Sequence, residues 1–458
     1  MGVRVEPWAL RYFGVAFASY LAALAAMAAG LTYPSAGLLA PTTLAAVHLV
    51  TVGWLTLLML GALHQFVPVI TGRRLASDRS PAATLLLVAG GLILMVAGFL
   101  ALPGGPWPAL PAGGELLLPL GGSAVVAGAA VALANLGRTL GRARPLSLPA
   151  RYVASALGFL ALTVLLGLTF ALAMTWPGLL PAGMAGPLLG AGLPLHLLAG
   201  VGGWFTLTAM GVALKLLAMF TLAPEDRGKT GQGIWAVTAG GMALAWLAGL
   251  AGVFAPGSTA GVLARAGWGL TGTGVALYLV DIRRLFGQRR RRGLEVNARF
   301  GAWALGCLGL TLLACAWALL RGREPGSWAL AVFLALFGWL SGLGLSQLYK
   351  IVPFLTWIER YGKRMGRERV PRVQDLVQER RARPWFQGYF GAVALAAAAL
   401  AIPSPALFRA AAALMLLAAA GVGRELLASR RCPRASPGHG ARDGPAGARD
   451  AVAGPRGS

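Results

Sequence analysis

The sequence predicts an all-α polytopic membrane protein whose twelve transmembrane helices form three pseudo-equivalent four-helix units. Three observations lead to this prediction: an apolar composition, twelve apolar runs separated by basic connections, and a Gly-Trp pattern that returns on every fourth run. Of the 458 residues, 57% are hydrophobic and 12% are charged, whereas soluble globular proteins carry about 25% charged residues. A water-soluble globule and a disordered basic chain are therefore both excluded.

Twelve apolar runs divide the chain up to residue 427. Most of them reach the roughly 20 residues that a helix needs to cross about 30 Å of hydrocarbon. The runs are continuous rather than alternating, which predicts helices and not a β-barrel. They cover residues 9–31, 43–70, 82–103, 115–136, 152–173, 186–222, 231–254, 259–281, 300–320, 327–357, 385–402 and 404–427. Residues 428–458 are rich in Pro, Gly and Arg, which predicts a disordered basic tail on the cytoplasmic side.

Lys and Arg set the predicted orientation, because they concentrate in the connections that follow the even-numbered runs. The opposite side carries only Arg265, Arg321, Arg323 and Arg409. Basic residues stay on the cytoplasmic side, so both termini are predicted to be cytoplasmic, in the plasma (inner) membrane. The net charge of +25 is then a topology signal, and the lipid bilayer, not nucleic acid, is the expected partner.

An internal repeat divides the twelve runs into three units, covering about 1–151, 152–299 and 300–427. The second, sixth and tenth runs align without gaps on Gly53-Trp54, Gly203-Trp204 and Gly338-Trp339. Eight residues after each glycine stands a small residue, and twelve after it a polar one: Gln65, Lys215 and Lys350. Gly-Trp is common in membrane helices for packing reasons alone. Its return on every fourth run favours a true repeat.

Two histidines, His48 and His196, are the candidate ligands. They lie at similar depth on the second and sixth runs, towards the outer side. His64 lies about 24 Å further along the second helix, at about 1.5 Å per residue, and cannot share a ligand with His48. Neutral imidazole binds haem iron and copper, and ionisable groups within a membrane point to function. The competing interpretation is a neutral histidine bonded to a carbonyl of a neighbouring helix.

The stretch HLVTVGWLTLLMLGALHQFVP, which begins at His48, resembles the second helix of subunit I of the haem–copper oxidases, in particular the nitric oxide reductase branch. The sixth helix of that family supplies a copper ligand, and HLLAGVGGW from His196 is similar in position. The resemblance covers the twelve-run core. It implies b-type haem at His48, with copper or a second ligand contact at His196.

The sequence also departs from that family. The seventh run lacks the adjacent histidines that complete the family's copper site, and the tenth has Ala331 and Phe333 where a histidine pair is expected. The complete binuclear centre cannot be assembled, so oxygen or nitric oxide reduction is not expected. The NnrS membrane proteins, linked to haem, copper and nitric oxide, are an equally similar family. There a histidine-led helix ends in a TGR-like turn, here at residues 71–73.

No carboxylate stands in the middle of a predicted span to relay protons. Glu115 and Asp281 lie near the boundaries, and Lys215 and Lys350 are expected to extend to water from helix ends.

Two functions from different classes remain open from the sequence. The first is a degenerate haem–copper-oxidase-like protein that holds haem b or copper through His48 and His196, with an accessory or sensing role in respiratory or nitric oxide metabolism. The second is a cofactor-free transporter or scaffold on the same fold, which includes a subunit that packs against respiratory-complex partners. The missing ligands favour a non-enzymatic role.

Overall fold

A computed structural model describes residues 8–107, 114–225, 227–290, 293–321, 325–365, 367–368 and 370–431. Within these ranges the chain is helical, and no strand occurs beyond one isolated bridge between Met365 and Glu368. The long helices are α1 Trp8–Ala28, α2 Pro41–Thr71, α3 Ser80–Ala101, α4 Gly114–Gly141, α5 Leu148–Thr175, α6 Leu193–Thr221, α7 Gly228–Phe254, α8 Ser258–Gly287, α9 Val296–Leu320, α10 325–361, α11 Glu379–Ala401 and α12 Pro405–Arg430.

Eleven helices in the described part of the chain are long and apolar enough to cross a membrane. The exception among the long helices is α8, which corresponds to the predicted run 259–281. It has 30 residues, so its length suffices at about 1.5 Å per residue. Its composition falls short because Arg265 and several Gly and Thr residues dilute the apolar side chains.

Helix boundaries differ from the predicted runs by a few residues at most ends, and three of the differences matter for the architecture. The run 186–222 is interrupted at Gly192, where a short helix, Ala185–Ala191, ends before α6 begins. Helix α11 begins at Glu379, before its predicted run, so its first turn is helical although it is polar and basic. Helix α12 continues to Arg430, beyond the predicted boundary at 427. The rest of the predicted tail lies outside the described residues.

Helices α2, α6 and α10 each contain a π-helical segment. The segments are Leu49–Thr56, Leu198–Thr206 and Leu334–Ser341. Each one contains the Gly-Trp pair of its helix. Because π-helix is rare and tends to occur at functional sites, its presence in three corresponding places marks these segments as a special level of the bundle.

The glycine of each Gly-Trp pair lies directly against a neighbouring helix. A Cβ atom placed on Gly53 would lie 2.6 Å from the Cβ of Ser19, closer than side chains approach. Small residues at such contacts let helix backbones come close together. The contacting pairs join α2 to α1, α6 to α5 and α10 to α9: Gly53–Ser19, Gly203–Phe159 and Gly338–Cys307.

Helices α2, α6 and α10 form the centre of the bundle, and the other helices surround them. In the central three, 67–78% of the apolar stretch is buried, against at most 50% in the other spanning helices. Around the outside, α3 packs along α4, α7 along α8 and α11 along α12. Each pair then meets the next helix in the same order: α4 contacts α5, α8 contacts α9 and α12 contacts α1.

Candidate metal site

His48 is the last α-helical residue before the π segment of α2. Its Nδ1 lies 2.7 Å from the carbonyl oxygen of Leu44, one turn earlier. A carbonyl can only accept, so Nδ1 donates the proton and Nε2 carries a free lone pair. The ring packs against Phe99 of α3, with 4.8 Å between the ring centroids. Metal-binding histidines commonly donate one ring N–H to a carbonyl or carboxylate in this way, while the other ring nitrogen binds the metal.

His196 lies at the corresponding end of α6, two residues before its π segment. Its ring contacts α5: Phe170 meets it edge to face, with 5.8 Å between the ring centroids. A Cβ on Gly167 would lie 3.1 Å from its Cε1. Its Nδ1 is buried without a hydrogen-bond partner. A buried ring nitrogen left unpaired costs free energy, so this atom is available to a ligand.

The two imidazoles lie at the same end of their helices, each just before the π segment. Both side chains are half-buried, and their surroundings are apolar. A cluster formed by Ala45, Phe99, Leu118 and Ala171 joins α2, α3, α4 and α5 beside them. The two candidate ligands therefore lie at the same end of α2 and α6, which we call the histidine end.

Within the described part of the chain, no third ligand of the usual kinds is grouped with these two histidines. In the described residues no group of three or more His, Cys, Asp and Glu side chains is placed to hold a metal ion. His64 is elsewhere on α2, with its ring 5.8 Å from that of Tyr12, and both of its nitrogens are buried without partners. The candidate site thus consists of two neutral imidazoles.

A haem held between α2 and α10 does not fit the residues present. Tyr20 of α1 occupies the space between these helices: its ring stacks 4.9 Å from Trp54 and 6.3 Å from Phe337. Phe333, which takes the place of a family histidine, stacks on Phe337 at 4.9 Å. His48 instead packs towards α3. The cofactor arrangement implied by the oxidase resemblance is therefore not available to this chain.

Three hydroxyl-bearing residues at the centre were missed in the sequence. The indole nitrogen of Trp54 donates to Ser341 Oγ at 2.9 Å, and that of Trp204 donates to Thr56 Oγ1 at 3.2 Å. Each acceptor stands two residues after a Gly-Trp tryptophan on another helix. The third indole, Trp339, is buried without a partner. The sequence does contain a signal for these residues, because a hydroxyl residue stands two positions after each Gly-Trp tryptophan: Thr56, Thr206 and Ser341.

Ion pairs occupy the opposite end of the bundle, where α2, α6 and α10 end, which we call the basic end. Lys350 donates to Glu295 at 2.5 Å, and Lys215 pairs with Glu225. The sequence predicted that these lysines extend to water. In the structure each of them also forms an ion pair with a carboxylate. Asp281 is paired with Arg227, which bonds its carboxylate through Nε at 2.9 Å. This carboxylate therefore serves an ion pair.

The fold defines the class of the protein: a helical, multi-pass membrane protein, with one histidine just before the π segment in each of two central helices. No protein-family model and no curated protein matches the sequence.

Proposed function

We propose that the chain is a divergent member of the haem–copper oxidase subunit I superfamily, with NnrS proteins as the alternative relatives. In this proposal twelve helices, α8 included, cross the plasma membrane as three four-helix units, and both termini are cytoplasmic. Support comes from the three π segments, the three matching glycine contacts and the repeated order of the outer helices.

Within this scaffold, His48 and His196 bind one copper ion in place of a haem–copper centre. The observations that carry this proposal are the His48 tautomer, in which Nε2 carries the lone pair, and the unpartnered Nδ1 of His196 at the same end of the bundle. Zinc prefers four ligands, whereas the two neutral nitrogens and the apolar surroundings favour copper in its reduced, low-coordinate form. Bound copper would supply one-electron redox chemistry and an open position for a small ligand.

The chain's own residues fix the ligands. The Leu44 carbonyl holds the His48 tautomer, and Phe99 restrains its ring. Gly167 leaves room for the His196 ring against α5. With two ligands and no third His, Cys, Asp or Glu grouped with them in the described residues, the site suits sensing or an accessory role in respiratory or nitric oxide metabolism rather than turnover of oxygen.

Copper and haem content of the purified full chain test this proposal. Protein isolated in mild detergent and loaded with reduced copper should hold about one copper per chain. His48→Ala and His196→Ala should each weaken copper binding at least tenfold, because a second-shell change alone costs 10- to 100-fold in affinity. His64→Ala is the matched control, since it removes a buried histidine from the same helix, and it should keep full copper content.

Wild-type protein without copper, or variants that bind as wild type does, would contradict the proposal. A haem absorption band that disappears in His48→Ala would show that His48 binds haem and not copper. Absence of both groups would favour the cofactor-free transporter or scaffold, or a subunit that packs against respiratory partners.

A further inference from the structure

A cavity of about 380 Å³ lies at the basic end, where α9 and α11 begin beside α10. Part of its wall is apolar, formed by Leu294, Pro353 and Val377. Its volume falls in the range of roughly 300–1,000 Å³ that is typical of pockets for organic ligands. A single water takes roughly 30 Å³, so the space greatly exceeds what one or two bridging waters fill.

The carboxylates of the cavity already have partners. Glu295 accepts from Lys350 at 2.5 Å and from the side-chain amide of Gln374 at 3.2 Å. Glu379 accepts from the backbone N–H of Val296 at 3.3 Å. The acidic groups therefore hold the walls of the cavity together, and their charges are balanced by Lys350 and Arg383.

Two polar groups of the cavity have no partners. The Asn297 side chain is 1% exposed and that of Tyr349 is 4% exposed. The Nδ2 amide of the first and the hydroxyl of the second are buried without a hydrogen bond, although both residues line the cavity. Buried donors of this kind are normally satisfied. The cavity thus offers hydrogen-bond donors to a ligand that can accept.

We propose that this cavity binds a neutral, membrane-borne molecule whose carbonyl oxygens accept hydrogen bonds from Asn297 and Tyr349. Neutrality follows because each cavity carboxylate already has a basic partner, and the carbonyls follow from the two free donors. The apolar wall and the position at the start of two spanning helices favour a ligand that arrives through the lipid. Two sources share this chemistry: the ring of a quinone, and the ester region of a diacyl lipid.

Binding by the purified full chain distinguishes the sources. For the quinone, a decyl-tailed dimethoxy-methyl-benzoquinone is titrated and followed by quenching of tryptophan fluorescence. For the lipid, protein is exchanged into diester or diether phosphatidylcholine, and retained lipid is counted by native mass spectrometry. Quinone binding identifies the first source; preferential retention of the diester lipid identifies the second.

Tyr349→Phe removes only the hydroxyl, and Asn297→Leu removes the amide at similar size. Each should weaken binding of the ligand about tenfold, the effect of one lost hydrogen bond. Thr84→Val is the matched control, because Thr84 is also a buried, unpartnered hydroxyl but lies on α3. The proposal is overturned if neither probe binds, or if both cavity variants bind as tightly as the control. If Asn297→Leu fails to fold, Tyr349→Phe alone still tests the proposal.

Discussion

Arg227 and Asp281 show what a charge requires inside this bundle. Their side chains are only 8% and 9% exposed, and Arg227 also donates to the backbone carbonyl of Asp281 at 3.0 Å. Removing one partner of a buried ion pair leaves the other charge uncompensated, which costs about 3–5 kcal/mol. The pair therefore ties the start of α7 to the end of α8.

Asp281→Ala should accordingly lower the thermal stability of the detergent-solubilised protein strongly, by about 3–5 kcal/mol in the free energy of unfolding. Glu225→Ala is the control, since its pair with Lys215 is much more exposed, at 53% and 27%, and exposed pairs contribute about 0–1 kcal/mol. Melting curves of equal midpoint for the two variants would contradict this reading of the pair.

The central tryptophans give a second prediction at this scale. Trp54 and Trp339 are equally buried, but only Trp54 donates a hydrogen bond, to Ser341. Trp54→Phe should therefore cost about 1 kcal/mol more than Trp339→Phe, because both changes remove the same ring area. Thermal unfolding in detergent measures the difference, and equal losses would show that the bond contributes nothing.

Single residues were predictable where their chemistry is local. His48 and His196 stand out because histidine is rare in this chain, and the repeat places them at similar depth, two residues apart in register. The partner of Trp54 was not predictable, because it lies 287 residues away in sequence. The unpartnered Nδ1 of His196 likewise depends on how α5 and α6 pack, which no single helix encodes.

At the scale of elements, α3 and α4 are held together by glycines. A Cβ on Gly91 would lie 2.7 Å from the carbonyl oxygen of Gly121, a backbone atom that cannot move aside without shifting α4. A Cβ on the adjacent Gly90 would meet nothing within 4 Å. The same helix therefore carries one glycine that is required and one that is not.

Gly91→Ala should separate α3 from α4 and destabilise the protein by about 1–3 kcal/mol, the usual cost of overpacking. Gly90→Ala should be neutral or slightly stabilising, because alanine is the better helix former. The comparison requires only melting temperatures of the two variants. A neutral Gly91→Ala would mean that the two helices can part without cost.

The existence of the helices was predictable, because continuous apolar runs of this length have few other structures. Their ends were less so, as α11 shows: its first turn contains Arg380, Arg381 and Arg383 and is helical nonetheless. The π segments could not be predicted, because their residues are as apolar as the flanking α-helical ones. What marks them is packing between helices.

At the scale of the whole molecule, the crossing of α8 decides the topology. With α8 in the membrane, the connections at its two ends lie on opposite sides and the termini share one side. With α8 outside it, eleven spans would place the termini on different sides. Gly257 and Gln288 flank α8 and are exposed, so each can carry a probe.

Gly257→Cys should react with a membrane-impermeant thiol reagent applied to intact cells, and Gln288→Cys only after the cells are opened. Both are made in a background with Cys307, Cys315 and Cys432 replaced by Ala. The reason is the charge asymmetry, since basic residues follow α8 in number. Labelling of both positions from the same side would exclude a crossing by α8 and, with it, twelve spans.

The sequence predicted a helical membrane protein, and the structure agrees with that class. It could not predict which helices lie at the centre, because α2, α6 and α10 are no more apolar than their neighbours. Their position follows from contacts that only form together. The repeat singled out these three helices. Their mutual packing around Tyr20, Trp54 and Ser341 depends on contacts between distant parts of the chain and was not predictable.

The π segments have a consequence for how such a protein can diverge. At a π segment the hydrogen-bond ladder widens. The side chains of the two halves of the helix can then face different neighbours, so that the helical register of one half does not fix that of the other. Residues at one end can then be exchanged by mutation while the opposite end retains its contacts.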